Sequence, residues 1–160
     1  MNRTVVHDTF VIDRTYAASP VRVFAAFADP KIKTQWFGDP DIEKDGPHVI
    51  DFRVGGRETL SDAVPDGGGP SFTYEAVYQD IVENERIVYS YEMTMNGRRI
   101  SVSVATLEFY AASPDGAGTR LILTEQGAFL DGLDTCAQRE EGTRGVLDAL
   151  ADYLENGEQS

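Results

Sequence analysis

The sequence predicts an α+β domain: a mainly antiparallel sheet of about six to seven strands with a long C-terminal helix, and two short helices after the first strand. Two periodicities support it. From about Asp41 to Glu125, apolar residues alternate in runs separated by turn signals. From Thr135 to about Leu154 they recur at three- and four-residue intervals, through Val146, Leu147, Leu150 and Leu154. That spacing is the stripe of an amphipathic helix.

The elements follow in order. "VVHDTFVIDRTY" alternates as a strand, with Phe10, Ile12 and Tyr16 on one side. Ser19 is a helix N-cap and Pro20 suits the first helical position. Val23, Phe24 and Phe27 make a helical stripe, which Asp29-Pro30 ends. "KIKTQWF" is a second short helix that stops at Gly38. "HVIDFRV" and "RETLSDAV" read as strands around Gly55-Gly56, and "PDGGGP" (Pro65 to Pro70) as a flexible loop. A hairpin from Phe72 to Met93 turns near Glu83-Asn84, and the next turns at Asn96-Gly97. "RISVSVATLEFY" and "GTRLILTEQG" form the last pair around "AASPDGAG". No repeat or linker divides the chain, so residues 1–160 are expected to be one domain, with 156–160 a disordered tail.

Composition narrows the partners. The chain has 160 residues, 41% hydrophobic and 26% charged, as an ordinary globular domain does. Fourteen basic against twenty-seven acidic residues give a net charge of −13. Nucleic acid and anionic membranes are bound chiefly through positive charge, so neither is an expected partner. The single cysteine, Cys136, permits no internal disulfide, and "MNRTVVHDTF" lacks the apolar run of a leader or anchor. A cytoplasmic location is the expectation.

The order of elements resembles the Bet v 1/START-like (SRPBCC) superfamily, and more closely its Hsp90-ATPase-activator homologue (AHSA1-type) family. The resemblance runs from Val11 to Leu154. It is carried by "SPVRVFAAFADP" with the aromatic pair of "TQWFGDP", by "DFRVGGRETL", "VYQDIVENERIVYSY", "GTRLILTEQG" and "EEGTRGVLDALADYL". It implies a helix-grip fold, in which a curved sheet holds the last helix across a cavity. Two departures bear on that cavity. Thr143 follows Gly142 where the family usually carries Trp, and Glu125 stands where it often has His. A smaller side chain at 143 would enlarge or wet the space.

The residues that could carry function follow from the strand faces. Four of the seven tyrosines, Tyr74, Tyr78, Tyr89 and Tyr91, fall on the first hairpin. With Met93 they either line a cavity, where each offers a hydroxyl on an aromatic body, or follow the ordinary preference of Tyr for strands. Glu125 shares a face with Thr119, Leu121 and Leu123. Facing an apolar cavity, its pKa would rise by desolvation; at a strand end it would sit in water. Either Ser101 and Ser103 or Val102 and Val104 face inward. Trp36 and Phe37 stand at the cavity entrance or pack under the first helix. On the last helix the stripe continues from Leu147 back through Thr143, Glu140 and Cys136, greasy at one end and polar at the other.

The expected lining set is therefore Trp36, Phe37, Tyr74, Tyr78, Tyr89, Tyr91, Met93, Ser103, Glu125, Glu140 and Thr143. No catalytic residue is assigned. His7 and His48 are isolated and one cysteine builds no zinc site, so no metal is expected. Gly55-Gly56 is a turn and no phosphate loop or dinucleotide fingerprint is present, so neither is a cofactor. Asp51 and Arg53 form at most a surface pair. Cys136, near a helix start, is a weak candidate nucleophile.

The leading expectation is a module that binds a small hydrophobic or aromatic molecule. One alternative is an enzyme of cyclase, dehydratase or hydrolase type that uses Glu125 and cavity tyrosines. The other is a protein-interaction domain, co-chaperone-like or regulatory, with a protein partner or a homodimer left open.

Overall fold

The computed structural model describes residues 3–38, 47–62 and 70–156. The chain runs as β1 (Val5–Tyr16), α1 (Pro20–Ala28), α2 (Pro30–Trp36), β2 (Val49–Ile50), β3 (Arg57–Ser61), β4 (Phe72–Val82), β5 (Arg86–Met95), β6 (Arg98–Ala111), β7 (Thr119–Leu130) and α3 (Cys136–Asn156). The seven strands form one antiparallel sheet in the order β1-β7-β6-β5-β4-β3-β2. The α+β class, the paired short helices and the sheet around a C-terminal helix match the sequence reading.

Local chemistry sets the helix starts. Ser19 Oγ accepts from the Arg22 amide at 3.3 Å, and Pro20 opens α1. Asp29 ends α1 and also caps α2, its carboxylate accepting from the Lys31 amide at 2.9 Å ahead of Pro30. Thr135 Oγ1 accepts from the Gln138 amide at 3.1 Å and starts α3. At the β5–β6 turn, Asn96 and Gly97 take φ of 52° and 81°, the pair of positive angles that matches the twist of a hairpin.

One stretch departs from the sequence reading. "HVIDFRV" is strand only at Val49–Ile50. The backbone then turns through Arg53 and Gly56, whose amide donates to Arg53 O at 2.8 Å. A Cβ on Gly56 would lie 2.0 Å from Asp51 O, so only glycine fits there. β3 spans Arg57–Ser61, and positions 63 and 64 of the strand expected at "RETLSDAV" lie outside the described residues. Most of the expected Pro65–Pro70 loop and of the expected 156–160 tail lies outside the described residues.

The sheet curves at register shifts between Tyr78 and Asp80 and between Met93 and Thr94, since a bulge bends the strand that carries it. Its concave face holds the core. Phe24 and Phe27 of α1 meet Phe109 of β6 edge-on, with ring centroids 5.3 and 5.8 Å apart. Leu147, Leu150 and Leu154 are the buried residues of α3 and join this cluster. Polar ties hold the same half of the helix. Tyr16 OH donates to Leu147 O at 3.3 Å, and an Arg22 guanidinium nitrogen donates to Leu154 O at 2.5 Å. Arg14 pairs with Asp148 and donates to Arg144 O at 3.3 Å.

Leu150 is fully buried at the centre of this contact. Leu150→Ala is expected to destabilise the fold by about 2–5 kcal/mol, measured as a lower urea midpoint with an unchanged m value.

Candidate functional site: a tyrosine-lined pocket under the last helix

The C-terminal half of α3 rests on the core, and its N-terminal half stands over a pocket of about 520 Å³. The sheet supplies one wall, with Leu60, Tyr74, Tyr89, Tyr91, Met93 and Glu125 along it. Lys33 and Phe37 come from α2 and its C-cap, and Gln138, Arg139, Thr143 and Val146 from α3. The floor is laid by cross-strand pairing. Tyr91 lies opposite Ala76 on β4 and Tyr89 opposite Ala105 on β6. These small neighbours leave room for the rings. Tyr74 and Tyr89 sit beside Tyr91 with centroids 5.1 and 5.8 Å away, and Phe37 extends the row 5.2 Å beyond Tyr74.

Two buried carboxylates stand at the two sides of this row. Glu125 on β7 is 2% exposed and accepts from Tyr91 OH at 2.7 Å. Burial raises its pKa, opposed by the Tyr91 hydrogen bond, the Arg139 charge and the neighbouring Ser103 hydroxyl. Ser103 lies close enough to bias Glu125 without the geometry of a full hydrogen bond. Arg139 is itself paired, its Nε donating to Asp134 Oδ2 at 3.2 Å and its Nη2 binding the same oxygen. Desolvation first, then the nearby carboxylates, push the Tyr89 and Tyr91 phenols far above their ordinary value. Both remain neutral hydroxyls throughout the physiological range.

Glu58 on β3 is in the opposite condition. It is fully buried, and its carboxylate joins four segments of the chain. Oε1 accepts from Lys33 Nζ at 2.6 Å and from Tyr78 OH at 2.5 Å, while Oε2 lies 2.7 Å from His48 Nε2. Burial alone would raise its pKa. The Lys33 charge and the three hydrogen bonds outweigh burial and hold it at about 2. Lys33 Nζ also lies 4.6 Å from the centroid of the Phe37 ring, a cation–π contact.

Of the residues expected to line a cavity, Phe37, Tyr74, Tyr89, Tyr91, Met93, Glu125 and Thr143 border this pocket. The other four are placed elsewhere. Trp36 packs edge-on against Phe27 and donates to Ala26 O at 3.0 Å. Tyr78 points to Glu58. Ser103 is buried beside Gly127, and Glu140 pairs with Arg144 at 2.7 Å. The serine–valine alternatives resolve to serine: Ser101 and Ser103 are buried while Val102 and Val104 face outward. Asp51 and Arg53 pair at the surface at 2.9 Å. Burial and the nearby carboxylates Asp8, Glu140 and Glu125 push the Cys136 thiol up, opposite to what a nucleophile needs.

Lys33 and Glu58 were not singled out by sequence reasoning, and His48, expected to be isolated, lies against Glu58 instead. Two signals pointed to them: Lys33, Trp36 and Phe37 are spaced as one helix face, and Glu58 alternates with Leu60. No group of three or more histidine, cysteine or carboxylate residues that could hold a metal occurs among the described residues. No helix among them is long and apolar enough to cross a membrane.

This arrangement of sheet and helices recurs in known proteins. The family described as Activator of Hsp90 ATPase homolog 1-like protein matches residues 17–155. The chain belongs to that family. Similar solved structures include an uncharacterised protein of Rhizobium leguminosarum, 38% identical, with a TM-score of 0.86 over 97% of this chain and 99% of that one. Mll3558 of Rhizobium loti is 48% identical, with a TM-score of 0.80 over 93% of this chain and 98% of its own. CV1439 of Chromobacterium violaceum, 22% identical, shares the fold with a TM-score of 0.71 over 92% of this chain and 97% of its own. No curated protein matches. In this member of the activator-like family, Thr143 faces the pocket and donates its hydroxyl to Arg139 O at 2.8 Å, so the helix satisfies the polar group itself.

Glu58→Gln leaves the Lys33 ammonium buried without its counter-ion and is expected to cost about 3–5 kcal/mol. Lys33→Met should cost a similar amount, and the double variant less than the sum. Because the Glu58 pKa is depressed, its contribution is fully present above the usual 4.5 and is lost as the pH falls toward about 2. Urea titrations of wild type and Glu58→Gln across that window check both statements, since the variant should lose this part of the acid sensitivity.

Proposed function

We propose that this protein is a cytoplasmic binding module that encloses one small, largely hydrophobic or aromatic molecule carrying a polar group, in the pocket under the N-terminal half of α3. The observation that carries the reading is the wall itself: a continuous row of Phe37, Tyr74, Tyr91 and Tyr89 rings beside the Glu125 carboxyl. The volume of about 520 Å³ falls within the range of roughly 300–1,000 Å³ found for small-molecule sites. Apolar surfaces of Leu60, Met93 and Val146 supply affinity by excluding water. The neutral phenols and Glu125 supply orientation, because each buried polar group left unpaired by a wrong ligand costs about 1–3 kcal/mol.

The test is a thermal-shift screen against aromatic, polyketide-like and lipid-like compounds. A ligand at about a hundred times its dissociation constant adds roughly 2.7 kcal/mol. In a domain of this size that raises the melting temperature by about 5–11 °C. A chemically coherent set of hits, weakened by Tyr91→Ala, is the expected outcome. No shift from any compound would remove the reading.

A further inference from the structure

The charged groups around the pocket are not equivalent. Both cations that border it are matched by a carboxylate of their own, Lys33 by Glu58 at 2.6 Å and Arg139 by Asp134. Glu125 is not. It is 98% buried and accepts from the Tyr91 phenol at 2.7 Å, and no ion pair reaches it among the described residues. A buried carboxylate whose one hydrogen bond among the described residues comes from a phenol carries a desolvation cost that a counter-ion would relieve. The surroundings suit such a counter-ion. The faces of Tyr74, Tyr89 and Tyr91 stand beside one another with centroids 5.1 and 5.8 Å apart, and aromatic faces attract cations. The chain's net charge of −13 draws cations toward the molecule as a whole.

We propose that the pocket selects a hydrophobic amine: an apolar or aromatic body with a protonated amino group that ion-pairs with Glu125 beside the Tyr89 and Tyr91 rings. This rests on the ligand-binding reading above and names the ligand's polar end. An anionic ligand fits less well, because the cations that border the pocket among the described residues, Lys33 and Arg139, are already neutralised and Glu125 would repel it. The groups that face Glu125 are Tyr89 and Tyr91 from β5, Ser103 from β6, and Asp134, Cys136 and Arg139 from α3 and the turn before it. Of these, Arg139 alone is a cation, and its hydrogen bonds go to Asp134. Burial already raises the Glu125 pKa, so an ammonium ion should bind with release of a proton where that carboxyl is partly protonated. Its affinity should climb with pH through the titration of Glu125.

Three probes on one skeleton separate the alternatives: 1-naphthylmethylamine, 1-naphthylmethanol and 1-naphthoate, titrated calorimetrically into the full chain. The amine is expected to bind at least about tenfold tighter than the alcohol or the carboxylate. In Glu125→Gln the amine should lose its advantage and bind no tighter than the alcohol does to the same variant. With the wild type, the amine alone should gain affinity as the pH rises above the ordinary carboxylate value of 4.5, which decides the matter if the variant does not fold. Alcohol or naphthoate binding as tightly as the amine overturns this inference while the pocket still holds a ligand. An amine preference that survives in Glu125→Gln, or no pH dependence in the wild type, overturns it as well. Binding by none of the three overturns it, and a broader screen that then also fails removes the ligand-binding reading with it.

Discussion

One helix cannot cover this sheet, and the rest of the structure follows from that. The seven strands leave six gaps of about 4.8 Å, so the sheet is roughly 29 Å across. A helix with its side chains is about 10–12 Å wide. α3 therefore shields little more than a third of the concave face. α1 and α2 shield another part, through Phe24, Phe27 and Trp36. What remains is bordered by aromatic residues with a polar tip, which can face either a ligand or water without exposing a continuous greasy surface.

The same constraint explains why two buried carboxylates tolerate one interior in opposite ways. Glu58 lies where α2 closes on the sheet, so no water reaches it, and it is saturated by Lys33, His48 and Tyr78. Those partners favour its charge and drive its pKa down. Glu125 lies beside the uncovered strip. Its one full hydrogen bond comes from a phenol, and burial prevails and drives its pKa up. Two carboxyls pushed apart by their surroundings are the usual sign that one serves the fold and the other the site. Here the first holds α2 and the segment before β2 against β3 and β4, and the second borders the pocket, where the proposed binding role would use it.

Much of this was legible in the sequence, wherever periodicity and burial agree. Two-residue alternation put Glu125 on the face of Leu121 and Leu123 but left open whether that end of the strand met a cavity or water, and burial of all three decides it; helical spacing put Leu147, Leu150 and Leu154 on the core. Alternation could not choose between Ser101/Ser103 and Val102/Val104, because strands with one solvated face normally turn their valines inward. Here Phe129 fills the space beside Gly127 and small hydroxyls suffice underneath. The Lys33–Glu58 pair was missed for a related reason: charged residues are read as surface unless a partner is known, and the partner lay on another element. The strand expected at "HVIDFRV" was cut short by a backbone contact, Gly56 against Asp51, which no hydropathy pattern records.

Stability and specificity lie on different halves of α3. The buried apolar residues and the ties from Arg14, Tyr16 and Arg22 all fall at or beyond Arg144. Before Arg144 the helix presents Gln138, Arg139, Gly142 and Thr143 to the pocket. It also carries Gly142 and Gly145 in mid-helix, each costing roughly 0.5–1 kcal/mol relative to alanine. A Cβ at either position would meet nothing within 4 Å, so close packing does not require glycine there. A helix that keeps such residues over a pocket while anchoring its other end in leucines can change its pocket side chains with little effect on the core, because distant sites contribute independently. In the proposed binding role, the identity of a ligand would be carried by residues such as Thr143 and Glu125, which border the pocket and where this chain departs from the pattern its family resemblance implies.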